Sequence, residues 1–176
     1  MPSAAAGLSA VLLAAGESER MGSINKLTLP IGDQPLLRRT AQMLSRCDLV
    51  ELVAVVGHEQ HIAREMLRGL ALRTIYNEAF RDGQMTSVYC GLAALEKPCA
   101  GVMICLADQV LLNGEDIGRR AEDTVFGTRW NHDSHGVAVA SVHARRDPQG
   151  QRIHLVPDQR GSDSVRRNIH DDHPGT

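Results

Sequence analysis

The most informative part of this chain is the segment LAAGESERMG at residues 13–22, which is followed by NKL at residues 25–27. The segment begins where an apolar run, Leu8 to Leu13, ends, and this run predicts a buried strand. The small residues at positions 14–16 allow a ligand to approach the backbone closely, and Gly16 permits a positive φ. We therefore expect a tight turn after the first strand, with room for a ligand beside it.

Groups that bind phosphate follow these small residues. Ser18 supplies a hydroxyl, Arg20 a planar fork of N–H donors, and Lys26 a mobile point charge. Successive backbone amides in such a turn can form a concave anion site. The loop matches neither the Walker motif nor the Gly-x-Gly-x-x-Gly dinucleotide pattern. A strand, a small-residue loop and two cations suit a bound triphosphate, and the alternative is a surface loop with solvated charges.

Length and composition exclude several classes of protein. At 176 residues, the chain fits one domain with a sizeable core. A net charge of −2 and 3% aromatic residues argue against nucleic-acid and membrane partners. No apolar run is long enough to cross a membrane, and the apolar residues 1–16 lack the positive start of a signal peptide. We therefore expect a cytoplasmic protein.

The cysteines and histidines show no spacing typical of a metal site. The cysteines are Cys47, Cys90, Cys99 and Cys105. All four lie among apolar residues, so we interpret them as buried thiols in a reducing compartment. His58 and His61 are three residues apart, as are His132 and His135, but neither pair has a third ligand nearby. We interpret these histidines as exposed to solvent.

Predicted strands and helices alternate through the first two-thirds of the chain. The strands are predicted over Leu8–Leu13, Leu49–Val56, Ala71–Tyr76 and Ala100–Ala107. The helices are predicted over Leu36–Ser45, with Pro35 at its first turn, His58–Gly69 and Gly83–Leu95. This alternation predicts an α/β fold with a mostly parallel sheet. Ligands of such sheets bind at the carboxyl ends of the strands, where the first loop, Asn77 and Asp108 should converge.

The sequence changes character after about residue 113, where lysine disappears and histidine, arginine and aspartate become frequent. Gly136–Val142 predicts a strand, and Ile153–Val156 is a second, less apolar candidate. We expect residues 1–156 to form one domain, atypical after residue 113. Residues 157–176 have little to bury and are expected to be a mobile tail.

Polar residues follow two of the predicted strands. Asp108 closes the fourth strand, where it could cap the next turn or hold a divalent cation. Asn77 ends the third strand, and the next helix opens with Gly83 and continues with Ser87. A helix start often carries capping hydroxyls, but at this edge of a sheet it also attracts anions.

The quoted segment resembles the signature of the MobA-like nucleotidyltransferases, LAAGxSxRMGxxK. The matching positions are Leu13, Ala14, Ala15, Gly16, Ser18, Arg20, Met21, Gly22 and Lys26, the last displaced by one residue. Asp108 lies in LADQ, which resembles the family motif LADQP with Val110 in place of proline. Asn77, Gly83 and Ser87 match the family pattern NPxxxxGxxxS, with Glu78 in place of proline.

The resemblance implies a fold and a set of roles. The fold would be a three-layer αβα sandwich with a mostly parallel, Rossmann-like sheet of the nucleotide-diphospho-sugar transferase type. The implied catalytic residues are Arg20, Lys26 and Asp108, with Asp108 binding Mg²⁺ or Mn²⁺. The implied nucleotide-binding residues are Leu13, Ala14, Ala15, Gly16, Ser18, Asn77, Gly83 and Ser87.

The resemblance also implies a reaction. Ala15 is typical of the cytidylyl branch of the family, the molybdenum cofactor cytidylyltransferases of MocA type, which join CMP from CTP to the terminal phosphate of molybdopterin and release pyrophosphate. A molybdoenzyme client or chaperone would be a further partner. The family's late Gly-Asp, a second acidic metal ligand, has only a poor match in Gly161-Ser162-Asp163. Transfer to another acceptor (the guanylyl branch or a sugar phosphate) and a non-catalytic nucleotide- or cofactor-binding protein remain open alternatives.

Overall fold

A computed structural model describes residues 7–17, 25–99 and 101–108, together with the backbone of three later strands. The strands are β1 (Leu8–Ala14), β2 (Pro30–Ile31), β3 (Gln34–Pro35), β4 (Glu51–Val56), β5 (Arg73–Tyr76), β6 (Gly101–Leu106), β7 (Ala138–Ala140), β8 (His143–Arg146) and β9 (Ile153–Val156). The α-helices are α1 (Leu36–Ser45), α2 (Gln60–Leu67) and α3 (Gln84–Ala93). Short 3₁₀ helices cover Lys26–Thr28 and Phe80–Asp82.

The main sheet has the strand order β5-β4-β1-β6-β7. β1 pairs in parallel with β4 on one side and with β6 on the other, and β4 pairs in parallel with β5. β7 joins the other edge of β6 antiparallel. In register, Ala14 lies opposite Val56 and Leu13 opposite Leu106, so the carboxyl ends of the central strands meet at one edge.

Helices cover both faces of this sheet. Alternate β1 residues, Ala10 and Leu12 among them, pack with α1 and α2. The intervening residues, Val11 and Leu13 among them, pack beneath the α3 side. Because both faces are buried, the central strands are apolar without alternation, as expected for a parallel sheet. The predicted three-layer αβα arrangement is confirmed.

Each α-helix and parallel strand begins and ends within two residues of its predicted bounds, and α1 has the predicted bounds. Pro35 is the residue before α1 rather than part of its first turn. In the region predicted over Gly136–Val142, the described strand is β7, and β9 has the predicted bounds. β8 was missed, and it pairs antiparallel with β9 in a separate ribbon.

Helix α3 lies unusually close to the sheet at Gly91. A Cβ placed at Gly91 would lie 2.2 Å from Cγ1 of Val11 and 3.0 Å from Cγ2 of Val55. No side chain fits at these distances. Because Gly91 has none, α3 can approach β1 and β4 this closely. This close approach fixes the height of α3 above the strands, and therefore the position of its amino end.

The thiols are less buried than predicted. The four cysteines all lie in the described part of the chain and form no disulfide there, but only Cys105 is fully buried, on the α1 and α2 side of β6. Cys47 and Cys90 are half-buried, and burial raises the pKa of both thiols. Within the described residues, none of the helices combines the length and apolar character that a membrane crossing requires.

The amino ends of the strands are tied together by the Glu51 carboxylate, whose side chain is 7% exposed. Its Oε1 accepts hydrogen bonds from Nη2 and Nε of Arg73, at 2.6 and 3.1 Å. Its Oε2 accepts from the backbone N–H groups of Glu96 at 2.9 Å and Lys97 at 3.2 Å. Desolvation raises the pKa of Glu51, but the two N–H groups and Arg73 together outweigh it, so the net pKa is lowered.

We expect Glu51→Gln to lower the free energy of unfolding at neutral pH by about 1–3 kcal/mol, because a buried charged acceptor is lost. The lowered pKa means that the wild-type carboxylate stabilises the fold above its unfolded pKa of about 4.3. This stabilisation is lost as the pH falls through the folded pKa. Urea unfolding between about pH 7 and pH 3 should therefore show a weaker pH dependence in the variant.

Glu65→Gln is the matched control, because Glu65 pairs with Arg68 at an exposed surface where both side chains are more than half exposed. Its stability should change by less than about 0.5 kcal/mol. Equal pH dependence in wild type and Glu51→Gln would contradict the assignment.

Candidate active site

The structure brings Lys26 and Asp108 into direct contact. Lys26 Nζ lies 2.5 Å from Asp108 Oδ2, although the two residues are 82 positions apart in sequence. Their side chains are 37% and 35% exposed. A cation and a carboxylate therefore face each other, accessible to solvent, at the edge where β1 and β6 end.

Asp108 is placed by the turn that follows β6. The backbone N–H of Ala107 donates to Leu13 O at 3.0 Å, which extends the pairing of β1 and β6 beyond the strands. The buried hydroxyl of Thr40, on α1, donates to Ala107 O at 3.3 Å. The residue before Asp108 is thus held by both a strand and a helix.

Lys26 is placed by the 3₁₀ helix that it opens. Asn25 caps this helix, since its Oδ1 accepts from the N–H of Leu27 at 3.0 Å. The hydroxyl of Thr28 donates to Asn25 O at 2.7 Å. Leu27 is 5% exposed and packs into the α1 and α2 side of the core. One buried side chain therefore anchors a turn whose neighbouring residue presents an ammonium to solvent.

The loop after β1 begins with buried residues and continues with an exposed glycine. Leu13, Ala14 and Ala15 have buried side chains, so they offer a ligand only their backbone. Gly16 is exposed, and a Cβ placed on it would meet nothing within 4 Å. Gly16 does not adopt the positive φ that we expected to be available to it. Its contribution is therefore open space beside the backbone rather than an unusual conformation.

The same loop rests on the turn that follows β4. The N–H of His58 donates to Ala15 O at 3.3 Å. A Cβ at Gly57 would lie 2.7 Å from Ala15 O and 2.6 Å from the Cβ of Phe80, so glycine permits this close contact. The loops after β1, β4 and β5 thus touch one another at the carboxyl edge of the sheet.

Asn77 and Ser87 are brought together at the start of α3. Asn77 is 5% exposed, and its Nδ2 donates to the hydroxyls of Thr86 at 2.9 Å and Ser87 at 3.0 Å. Its Oδ1 accepts from the N–H of Ala79 at 3.0 Å. Gly83 precedes α3 with φ +108°, a conformation that favours glycine. These three predicted site residues shape the turn between β5 and α3.

A second ionic contact was missed by the sequence analysis. Glu17 Oε1 accepts from Nε of Arg81 at 3.1 Å and lies 3.8 Å from Nδ1 of His58. The guanidinium of Arg81 also lies 5.4 Å from the centre of the Phe80 ring. His58 precedes α2 rather than lying on it. Nothing in the local sequence relates Glu17 to Arg81, because the two are 64 residues apart.

Other predicted site residues fall outside the described part of the chain, namely Ser18 and Arg20, as does the partial match at residues 161–163. Within the described residues, no group of three or more histidine, cysteine or acidic side chains could hold a metal ion. Asp108 still fits a magnesium site, because Mg²⁺ is commonly held by one or two carboxylates together with substrate phosphates. Such a site would be completed by the nucleotide.

The profile of the MobA-like NTP transferase domain matches residues 10–167. The chain belongs to this family. The matched segment includes the first loop, Lys26 and Asp108, together with β4, β5, β6 and all but the first two residues of β1.

The chain is also similar to two named relatives. The chain is 33% identical over 126 residues to 2-C-methyl-D-erythritol 4-phosphate cytidylyltransferase of Prochlorococcus marinus, covering 66% of this chain and 53% of the relative. It is 30% identical over 113 residues to a probable molybdenum cofactor guanylyltransferase of Natronomonas pharaonis, covering 60% of this chain and 51% of the relative. The matched region thus spans about half the length of each relative.

Solved structures show the same fold. The Rv0371c protein of Mycobacterium tuberculosis superimposes with a TM-score of 0.60 at 22% identity, covering 70% of this chain and 63% of that one. Its complex with manganese superimposes with a TM-score of 0.58 at 19% identity, covering 69% and 61%. The Rossmann-like architecture is therefore shared at low sequence identity.

We expect Asn77→Ala to lower the free energy of unfolding by about 2–3 kcal/mol, since it leaves the N–H of Ala79 without its acceptor and two hydroxyls without their donor. Urea unfolding measures the change. Glu78→Ala is the matched control, because Glu78 is the exposed neighbour, and its effect should stay below about 0.5 kcal/mol. Similar losses in the two variants would refute a special role for Asn77 in holding the turn.

Proposed function

We propose that this protein is a nucleotidyltransferase that transfers CMP from CTP to the terminal phosphate of a molybdopterin-type acceptor and releases pyrophosphate. The observation that carries the proposal is the contact between Lys26 and Asp108 beside the loop after β1. This contact supports the proposal because an ammonium that could bind phosphate and a carboxylate that could bind a metal ion lie at the carboxyl edge of a parallel sheet, where such folds bind their ligands. Family membership and the cytidylyltransferase relative support the same reaction class.

In this proposal the protein acts by positioning and by charge neutralisation. The backbone of residues 14–16 and the side chains of Ser18, Arg20 and Lys26 hold the β- and γ-phosphates. Asp108 would hold Mg²⁺ or Mn²⁺, which would supply positive charge to the reacting phosphates. An oxygen of the acceptor phosphate bonds to the α-phosphorus, and the bond from that phosphorus to pyrophosphate breaks. The acceptor phosphate is ionised near neutral pH, so no strong general base is required.

The ligand-free ion pair is compatible with these roles. Both side chains are more than one-third exposed, and such pairs contribute little net stability. Lys26 could therefore leave Asp108 for a phosphate oxygen, and the carboxylate of Asp108 would then be available to hold a divalent cation. Each charge keeps a partner of opposite sign, so the exchange costs little.

We propose that Asn77, Gly83 and Ser87 form the part of the site that receives the base and ribose, with Gly83 exposed to them and the buried Asn77 and Ser87 holding the turn behind it. Their support is positional, because they lie at the carboxyl end of β5, next to the loop that holds Phe80 against Gly57. The hydrogen bonds of Asn77 to Thr86 and Ser87 keep this surface in one shape before the nucleotide arrives.

There is a second candidate for the nucleotide substrate and another for the acceptor substrate. Ala15 and the Prochlorococcus relative favour CTP, whereas the relative from Natronomonas, a guanylyltransferase, favours GTP. The name of the cytidylyltransferase relative indicates a phosphorylated polyol as its acceptor, which favours a sugar-phosphate-like alternative to molybdopterin. The domain limit at residue 156, the mobile tail, a molybdoenzyme client and a cytoplasmic location stay predictions.

We expect Lys26→Ala and Asp108→Ala each to lower kcat by about a hundredfold or more, because each removes a preorganised charge from the developing transition state. A coupled assay of pyrophosphate release measures the rate. Lys97→Ala is the matched control, since Lys97 lies at the amino edge of the sheet, where its N–H binds Glu51. Near-wild-type turnover in either site variant would remove the mechanism.

Calorimetric titration with CTP and with GTP, each with Mg²⁺ present, tests the choice of nucleotide. We expect CTP to bind more tightly, and tighter binding of GTP would favour the guanylyl alternative. Pyrophosphate release in the presence of molybdopterin then tests the acceptor. If the nucleotide binds but no pyrophosphate is released in the presence of either molybdopterin or sugar phosphates, the non-catalytic alternative is indicated.

A further inference from the structure

We propose that Asn25 and Glu59 form a positioning pair that sets where the ammonium of Lys26 lies relative to Asp108. The proposal concerns residues to which the family motifs above assign no role, and its catalytic consequence rests on the proposed function. Asn25 Nδ2 donates to Glu59 Oε2 at 2.9 Å, across 34 residues of sequence. The pair joins the Lys26 turn to the residue that immediately precedes α2.

Both ends of the Asn25 amide are used, and this fixes its orientation. Oδ1 accepts from the N–H of Leu27, which is a donor, and Nδ2 faces the Glu59 carboxylate, which is an acceptor. A flipped amide would lose both bonds. Asn25 therefore shapes the 3₁₀ helix through one atom and fastens it to α2 through the other.

Glu59 adopts a backbone conformation that is unfavourable for it. Its φ is +48° and its ψ is +40°, and it is the sole non-glycine residue of positive φ in the described part of the chain. A left-handed conformation costs about 1–2 kcal/mol for a residue with a Cβ. Such strain persists where the surrounding structure requires it, and it is often found near functional sites.

The backbone of Glu59 is held in place by hydrogen bonds to the first turn of α2. Its carbonyl oxygen accepts from the N–H groups of Ile62 at 2.9 Å and Ala63 at 3.3 Å, so its backbone belongs to the first turn of α2. Ala63 and Leu67, on α2, pack into the core. A side chain fixed here can hold a partner in place.

Lys26 is thereby held on both sides. Asn25, its amino-side neighbour, is bonded to Glu59, and Leu27, its carboxyl-side neighbour, is buried. A displacement of about 1 Å at a reacting group can cost a hundredfold in rate. The carboxylate of Glu59, carried by a strained backbone, thereby restricts the Lys26 ammonium to the vicinity of Asp108.

The test uses the two lysines of the chain, Lys26 and Lys97. Trace acetylation of the ligand-free, full-length protein, followed by mass spectrometry, gives the ratio of Lys26 to Lys97 modification within one molecule. Asn25→Asp keeps the oxygen that caps Leu27 but removes the donor and places two carboxylates together. We expect it to raise the ratio by about threefold or more, because the Lys26 turn opens locally more often.

Two further variants make the expectation specific. Glu59→Gln keeps an acceptor oxygen for Asn25, so the ratio should stay near the wild-type value. In the double variant Asn25→Asp with Glu59→Gln, the new amide can donate to the new carboxylate, and the ratio should return toward wild type. An unchanged ratio in Asn25→Asp, or no recovery in the double variant, would overturn the proposal.

Glu59→Gly separates positioning from simple stabilisation. It removes the carboxylate but relieves the left-handed strain, and glycine is acceptable before a helix. We expect unfolding in urea to show no loss of stability, while the Lys26 ratio rises as in Asn25→Asp. A ratio near the wild-type value in this variant would show that Glu59 does not restrain Lys26.

Activity provides the last readout. If the wild type is active, Asn25→Asp should lower kcat about tenfold or more and leave KM for the nucleotide within about twofold, because the restraint positions the Lys26 ammonium for the transition state. The double variant should recover kcat. An inactive wild type would contradict the proposed function, but the lysine ratios would still test whether Asn25 and Glu59 restrain Lys26. An active wild type with unchanged kcat in Asn25→Asp would overturn the pair's catalytic role alone.

Discussion

The arrangement of this protein depends on the position of β1 between two parallel neighbours. β4 and β6 pair with it along its length, and apolar residues cover both of its faces. A one-residue shift in register would exchange the side chains of its two faces, which pack against different helices, and would disrupt both core layers. The loop that leaves its carboxyl end therefore starts from a fixed point, beside the loops that leave β4 and β6. The candidate site residues that the structure describes lie along that edge.

Small residues at this edge serve packing and access together. Ala14 and Ala15 fill the two core layers, while Gly57 allows the next loop to come within contact of Ala15. Gly16 then leaves open space beside the backbone. A larger residue at Gly57 would separate the loops, so the compactness of the core and the shape of the proposed phosphate loop have the same origin.

The charges at the two edges of the sheet behave differently. At the amino edge, Glu51 is almost fully buried and bonded to Arg73 and two backbone N–H groups, so it stabilises the fold. At the carboxyl edge, Lys26 and Asp108 are partly exposed, and Arg81, which binds Glu17, is mostly exposed. Exposed pairs can exchange partners at little cost. The two edges of the sheet therefore differ in how deeply their charges are buried and not in how many charges they carry. The edge with buried charges stabilises the fold, and the edge with exposed charges can receive a ligand.

The fold was largely predictable from the sequence, because strands and helices are indicated by local signals. These signals are the period of the apolar residues and the glycine and proline residues at the ends of elements. They gave the parallel strands and helices within two residues, and the spacing of LAAG and LADQ indicated a shared edge. The sequence did not show that Lys26 touches Asp108, that Glu17 meets Arg81, or that Asn25 is bonded to Glu59. These partners are 34 to 82 residues apart, and only the pairing of strands and the packing of α2 bring them within hydrogen-bonding distance. Residue types thus determined which chemistry is available, and tertiary structure decided which groups meet.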